Sequence, residues 1–347
     1  MKESTTAILF GYGSIGRRHA RILADLASHL IIVDTKKSSR DQARIDFPSA
    51  SAVADFTELA RIISDWNSTM AVIATWGPSH EEIFHKLADQ RCRRIFCEKP
   101  IANSIDAARR MVSRAETENI SLAVNHYLRY SRIVEAIGRF AEMHQLGKPV
   151  SVVVDGGAQC LVTNGIHWID FATELFGAGP ERVISTAAGE TINPRSPELL
   201  YFGGTAVWSF HEGREATISF SNRSSIALTA RVYFPNAILE MDSGPNFVII
   251  RRRDMRAVRD FPAVTRTGPG AETLLQGNLA GVLPFEECLT AGIMEVMQQE
   301  VKVCPAFCAA NALSACIGAL VSARDQRPVS FPIAGESQWA RETWSIS

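Results

Sequence analysis

Short apolar runs alternate with amphipathic stretches along the first third of the chain. The runs are 7–10, 30–33, 70–75, 94–97 and 121–124, each the length of one buried strand. Between them, 14–26, 38–46, 79–90 and 105–119 repeat apolar residues at helical spacing. Regular strand–helix alternation predicts a parallel sheet covered on both faces. A shorter helical segment, 132–145, then leads to Gly147-Lys148-Pro149. Beyond it the pattern changes to strand-length segments with short turns: 150–154, 182–187, 205–210, 216–221, 226–234, 238–241 and 247–251. One helix, 165–176, interrupts them, and two more, 285–302 and 306–324, close the chain. Residues 265–281, rich in Gly and Thr, read as a loop. The expected architecture is an α/β N-terminal domain, 1–125, followed by an α+β domain, 126–347, with a large, mostly antiparallel open sheet.

The 347 residues suffice for two such domains, and 46% hydrophobic with 21% charged residues is a core-forming composition. A formal net charge of −1 argues against general nucleic-acid binding. The cluster Arg251-Arg252-Arg253 reads as a solvated strand end. Seven cysteines at scattered spacings include no C-x-x-C pair, and no His near Cys304 and Cys308 completes a metal set. They are expected to be buried small hydrophobes in a reducing compartment, and no metal is expected. The start of the chain runs straight into the first strand, and the Ala-rich stretch 306–323 carries Asn311, Ser314 and Ser322. A buried helix accounts for that stretch better than a membrane span, so the expected location is cytoplasmic.

Candidate chemistry begins at the first strand–helix turn. Gly11, Gly13 and Gly16 fall in the G-x-G-x-x-G spacing, with Ser14 and Ile15 between the last two. In a dinucleotide-binding (Rossmann) turn the first glycine permits the tight bend. The second lets a pyrophosphate approach the backbone, and the third lets the helix pack close to the strand. The second run ends in Asp34, where a carboxylate would accept hydrogen bonds from an adenosine ribose. Its charge favours NAD over NADP, although Lys36, Lys37 and Arg40 follow closely.

Three further clusters stand out. Ala74-Thr75-Trp76-Gly77-Pro78-Ser79-His80 follows the third run, at the strand end where ligands bind in open α/β sheets. It reads equally as a Gly-Pro turn with Ser79 capping a helix. Cys97-Glu98-Lys99-Pro100 ends the fourth run. A lysine there can stabilise a developing alkoxide, and its proline is a candidate cis residue; alone, the tetrapeptide reads as a surface Glu-Lys before a strand-ending proline. Finally, Gly165-Ile166-His167-Trp168-Ile169-Asp170 places His167 and Asp170 on one helical face. His167 is a candidate general base, or a satisfied core histidine.

Taken in order, GYGSIGRRH, ATWGPSH, EKP, the N-x-x-x-R of Asn125 and Arg129, and GIHWID resemble one family over nearly the whole chain. It is the glucose-fructose oxidoreductase, inositol dehydrogenase and rhizopine-catabolism family of NAD(P)-dependent oxidoreductases. The resemblance implies that Gly11, Gly13, Ser14, Ile15, Gly16 and Asp34 hold the dinucleotide. It implies that Thr75, Trp76, Pro78, His80, Glu98 and Lys99 line the cofactor. Lys99 would be the catalytic lysine and His167 the proton-transfer residue. Asn125, Arg129, Thr163 and Asn164 would border a sugar, cyclitol or nucleotide-sugar substrate, and the second-domain sheet would make a homodimer or homotetramer. Two departures bear on this. The family signature has an Asp four residues before the His, where this chain has Thr163, and a hydroxyl cannot raise the lysine's pKa. The stretch from Val150 to His167 is also short. The expected activity is hydride transfer between nicotinamide and a secondary alcohol or ketone. The alternatives are a non-catalytic NAD(P)-binding regulator or scaffold, and an NADP-dependent reductase of another carbonyl or an imine.

Overall fold

Six parallel strands organise the N-terminal part: β1 (Thr6–Phe10), β2 (His29–Val33), β3 (Ser51–Val53), β4 (Thr69–Ile73), β5 (Arg94–Cys97) and β6 (Ser121–Val124). Their order is β3-β2-β1-β4-β5-β6, so the sheet grows outward in both directions from β1 and β4. All five residues of β4 are buried, as expected of a central parallel strand covered on both faces. The helices α1 (Ser14–Leu26), α2 (Lys37–Asp46), α3 (Phe56–Ile62), α4 (His80–Asp89) and α5 (Ile105–Thr117) connect them. Ser104 starts α5 by accepting the Ala107 N–H at 3.1 Å, and Asp55 starts α3 by accepting that of Glu58 at 2.9 Å.

The computed structural model describes residues 5–157, 159–190, 200–242, 244–253 and 271–346. The apolar pattern predicts five strands in the first domain and the structure has six. β3 is three half-buried residues at the sheet edge and carries no apolar run. The chain divides into two compact units, and the first comprises Met1–His126, Glu286–Leu313 and Ala340–Ser347. The sequence pattern groups the last two segments with the second domain. Backbone pairing places them in the first: Val124 N donates to Cys304 O at 3.2 Å, Ala123 bridges Pro305, and Trp344 N donates to Asn103 O at 2.9 Å.

The second unit is Tyr127–Phe285 with Ser314–Trp339. It begins with α6 (Tyr127–Tyr130) and α7 (Ile133–Met143). Its ten-stranded sheet holds β7 (Ser151–Gly157), β8 (Arg182–Ser185), β9 (Ala188–Glu190), β10 (Tyr201–Ser209), β11 (Glu215–Ser221), β12 (Thr229–Tyr233), β13 (Ala237–Asp242), β14 (Val248–Arg253), β15 (Ala271–Gly277) and β16 (Val329–Ser330). Among the described residues its pairings are antiparallel except β7 with β11. Burial alternates along the strands: Ala216, Ile218 and Phe220 are buried, while Thr217 and Ser219 face outward. Against the buried face lies α8 (Gly165–Phe176), where a side chain on Gly165 would meet Phe220 at 3.5 Å. The loop expected at 265–281 is in part strand β15, and its residues up to 270 lie outside the described residues. Two helices, α9 (Phe285–Met297) and α10 (Ala306–Asp325), follow, with a last turn at Gln338–Arg341. By length and composition α10 could cross a membrane, yet 67% of its apolar window is buried inside the protein. Among the described residues none of the seven cysteines is in a disulfide, and only Cys308 is partly exposed.

Candidate functional site

The carboxyl ends of the first unit's strands are knitted by backbone hydrogen bonds. Gly11 N donates to Val33 O, Ala74 N to Phe10 O, Glu98 N to Ile73 O and Asn125 N to Cys97 O, all within 2.9 Å. One edge therefore gathers the glycine turn, Asp34, Thr75, Glu98, Lys99 and Asn125. Gly11 has a φ of +90°, and a Cβ on it would lie 2.7 Å from Ala74 O. A Cβ on Gly16 would lie 2.0 Å from Gly11 O, so α1 packs against the turn at a distance only glycine allows. A Cβ on Gly13 would meet nothing within 4 Å. That open space beside the first turn of α1 fits an approaching pyrophosphate.

Asp34 is braced on both carboxylate oxygens. Its Oδ2 accepts Tyr12 N and its Oδ1 accepts Lys36 N, each at 2.8 Å. Arg40 turns to the Asp34 and Thr35 carbonyl oxygens at 2.8 and 2.9 Å. Those two bonds fix the carboxylate at the strand end, where Rossmann folds place the adenosine ribose. A cavity of about 440 Å³ is lined by Tyr12, Arg17, Arg21, Gln42, Asp46 and Phe47. The Tyr12 hydroxyl donates to Asp46 at 2.6 Å, and burial, with that carboxylate, holds the phenol protonated well beyond neutral pH.

The loop after β4 divides its residues between surface and core. Trp76 is 42% exposed. Ser79 takes the N-cap position of α4, but its hydroxyl bonds the Thr75 hydroxyl at 2.8 Å and Trp76 O at 2.9 Å instead of capping the helix. His80 is fully buried, with Nδ1 2.9 Å from Pro100 O and Nε2 3.1 Å from Thr75 O. Burial lowers its pKa despite those carbonyl contacts. Its ring ties the Thr75 loop to the segment after β5. The Lys99–Pro100 peptide is cis, as the sequence allows.

Glu98 also faces inward. It accepts Nε2 of His19 at 2.7 Å and Nδ2 of Asn125 at 2.8 Å, both on Oε1. Burial works to raise its pKa, but the His19 hydrogen bond and charge, Lys99 and Asn125 bring it below the ordinary carboxylate value. His19 stands within the first sequence motif, which gives it no role of its own. Its signal is the helix-face spacing from Gly16, which turns both residues to the core.

In the second unit, His167 lies one turn into α8 with its ring edge-on to Tyr127 at 4.8 Å. Tyr127 in turn packs against Phe285 at 5.5 Å. Arg129 grips Asp170 with a two-pronged ion pair at 2.7 and 2.8 Å, the pair being 11% and 1% exposed. Glu174 follows one turn on, its carboxyl pushed up to about 7 by burial, against the pull of Arg129. Thr163 is buried just before the helix, and Asn164 Oδ1 accepts Cys160 N at 3.0 Å, which closes the turn leading into α8. The sequence assigns no role to Asp170, Glu174 or Tyr127. Among the described residues no cluster of three metal-ligating side chains exists.

Comparison with known proteins bears on this geometry. The D-apiose dehydrogenase of Paraburkholderia graminis is 26% identical over 256 residues, which is 67% of this chain and 64% of that protein. An inositol 2-dehydrogenase of Pseudomonas fluorescens is 27% identical over 150 residues, covering 41% and 43%. The chain therefore matches less than two thirds of the length of either relative. The solved structure of a levoglucosan dehydrogenase in complex with NADH superposes with a TM-score of 0.73, covering 95% of this chain and 100% of the other. At 15% identity that likeness is one of fold. The family model for the glucose-fructose oxidoreductase, inositol dehydrogenase and rhizopine-catabolism proteins, described as an oxidoreductase family with an NAD-binding Rossmann fold, matches residues 6–126. Residues 6–126 thus match the model of the NAD-binding Rossmann oxidoreductase family that the sequence motifs resemble.

Proposed function

We propose that this chain is an NAD-dependent dehydrogenase acting on a secondary alcohol, or the corresponding ketone, of a sugar, cyclitol or nucleotide-sugar derivative. The observation that carries the reading is the strand-end edge itself. A glycine turn open at Gly13 and a braced Asp34 share it with Lys99, at the end of β5. When bound, NAD supplies the acceptor for the hydride at its nicotinamide. The other site residues named above for the cofactor, from Ser14 and Ile15 to Pro78, serve that binding. In the oxidative direction His167 accepts the hydroxyl proton, and the Lys99 ammonium stabilises the oxygen as its negative charge develops. Reduction reverses both roles. Asn125, Arg129, Thr163 and Asn164 border the substrate. The relatives' names, inositol 2-dehydrogenase and D-apiose dehydrogenase, support the substrate class. The ten-stranded sheet serves as the face of a homodimer or homotetramer, and the protein is cytoplasmic.

The test is NADH fluorescence with NAD and NADP against a panel of sugars, cyclitols, sugar acids and nucleotide sugars. Turnover that is lost in Lys99→Ala and His167→Ala, with NADH affinity kept, is the expected result. Tight NADH binding with no turnover across the panel refutes the enzyme. It would favour a dinucleotide-binding regulator, the reading that Thr163 supports because no carboxylate stands there.

A further inference from the structure

The residues that hold Glu98 bear on its neighbour, Lys99. Glu98 is 5% exposed and His19 is 0% exposed. A carboxylate only accepts hydrogen bonds, so His19 Nε2, at 2.7 Å, is the donor. Asn125 Nδ2 adds a second bond to the same oxygen at 2.8 Å, and Oε2 faces the backbone N of Lys99 at 3.3 Å. The Phe96 ring packs edge-on to His19 at 5.7 Å and limits where the imidazole can move. Protonating Glu98 would set a carboxylic acid against N–H donors on every side, so the network favours the anion. The titratable groups that face it are His19 from α1, His80 from α4, and Cys97 and Lys99 from its own segment. Burial keeps His80 towards its neutral form and pushes the Cys97 thiol up, so neither offsets the carboxylate at alkaline pH.

We propose that Glu98 and His19 are a positioning pair for Lys99. His19 and Asn125 hold the Glu98 carboxylate ionised and in place. Its charge keeps Lys99 protonated into the alkaline range and fixes how the end of β5 presents it. This rests on the reading of Lys99 as the residue that stabilises the developing alkoxide, but its consequence for the ammonium group exists with or without turnover.

The experiment is competitive labelling of the full chain with trace acetic anhydride across a pH series, read at Lys99 by peptide mass spectrometry. The pH profile of kcat is measured alongside. In the native chain the Lys99 midpoint is expected at or above that of Lys148, which is exposed. A Lys99 midpoint one pH unit below Lys148 overturns the proposal without any variant. Glu98→Gln keeps the side-chain shape and removes the charge, so the midpoint falls by about one pH unit or more, and the alkaline limb of kcat moves with it. His19→Leu removes the donor and shifts the midpoint the same way by a smaller amount. His19→Gln, which can still donate from its amide, restores it. Unmoved midpoints in folded Glu98→Gln and His19→Leu that still bind NADH overturn the proposal. A shifted midpoint without turnover on any substrate keeps the pair and removes the dehydrogenase; turnover with an unmoved midpoint does the reverse.

Discussion

Two glycines of the same turn separate binding from packing. A methyl group on Gly16 would lie 2.0 Å from Gly11 O and 3.0 Å from Gly11 C. Ordinary carbon–oxygen contact needs more than an ångström beyond the shorter of these. The turn cannot retreat, because a Cβ at Gly11 would itself sit 2.7 Å from Ala74 O. Gly16→Ala gains about 1 kcal/mol of helix propensity, so the clash must exceed that gain to show. Overpacking against fixed backbone costs about 1–3 kcal/mol or more, and the thermal midpoint of the cofactor-free protein is expected to fall by several degrees. Gly13 is the opposite case. It has φ −81° and ψ −161°, a conformation open to any residue, and a methyl group there would have nothing within 4 Å. Gly13→Ala should leave unfolding within about 0.5 kcal/mol of the parent. Its methyl would occupy the space through which a pyrophosphate meets the backbone, so the NADH Kd should rise at least about tenfold, or about 1.4 kcal/mol. The assay pairs thermal unfolding without cofactor and NADH titration by fluorescence on both variants. Gly13→Ala binding NADH as tightly as the parent would refute the assignment of the turn, and equal losses of stability in both variants would refute the packing argument.

Three other outcomes are expected. Asp34→Ser removes the charge that opposes a 2′-phosphate, so the ratio of NADPH to NADH dissociation constants should fall at least about tenfold; an unchanged ratio places the ribose elsewhere. Asp170→Ala removes the two-pronged carboxylate partner of Arg129, whose side chain is 11% exposed, and should cost about 3–5 kcal/mol in urea unfolding, whereas a loss under about 1 kcal/mol would show the pair to be dispensable. Glu174 holds its proton in the folded chain up to about pH 7, against the ordinary 4.5 when unfolded. The folded state therefore binds the extra proton in that interval, and stability should fall as pH rises through it, by at most about 3 kcal/mol. Urea unfolding at several pH values should show that decline in the parent and a flatter profile in Glu174→Gln; identical profiles would refute it.

Most of the first unit is legible in the sequence because its strands are continuous apolar runs and its helices keep a 3.6-residue period. The helix 14–26 and the strands 94–97 and 121–124 fall where the pattern puts them. β3 and α3 escape it because an edge strand of Ser-Ala-Val buries too little to leave a pattern. In the second unit, the helix 165–176 is explicit in the sequence, while β9 and β16 are too short to read. The candidate site is legible as a set of positions and not as a network. Glycine spacing and Asp34 carry local geometry that any sequence shows. The pairing of His19 with Glu98 spans 79 positions, and that of Arg129 with Asp170 spans 41; both depend on how elements pack. His80 shows the same limit, since its motif says nothing of which way the ring points.

The order in which the chain is synthesised matters to the first unit. β6 is complete at Val124, yet the backbone that pairs beside it, Cys304 and Pro305, comes some 180 residues later. At typical elongation rates that is a wait of about 10–35 s. During it, the nascent Rossmann sheet carries an open edge, a template for pairing with other chains. The dinucleotide-binding unit is thus contiguous in space and split in the message. A gene fragment that stops at His126 would encode all the glycines and Asp34 and still leave the sheet unsealed.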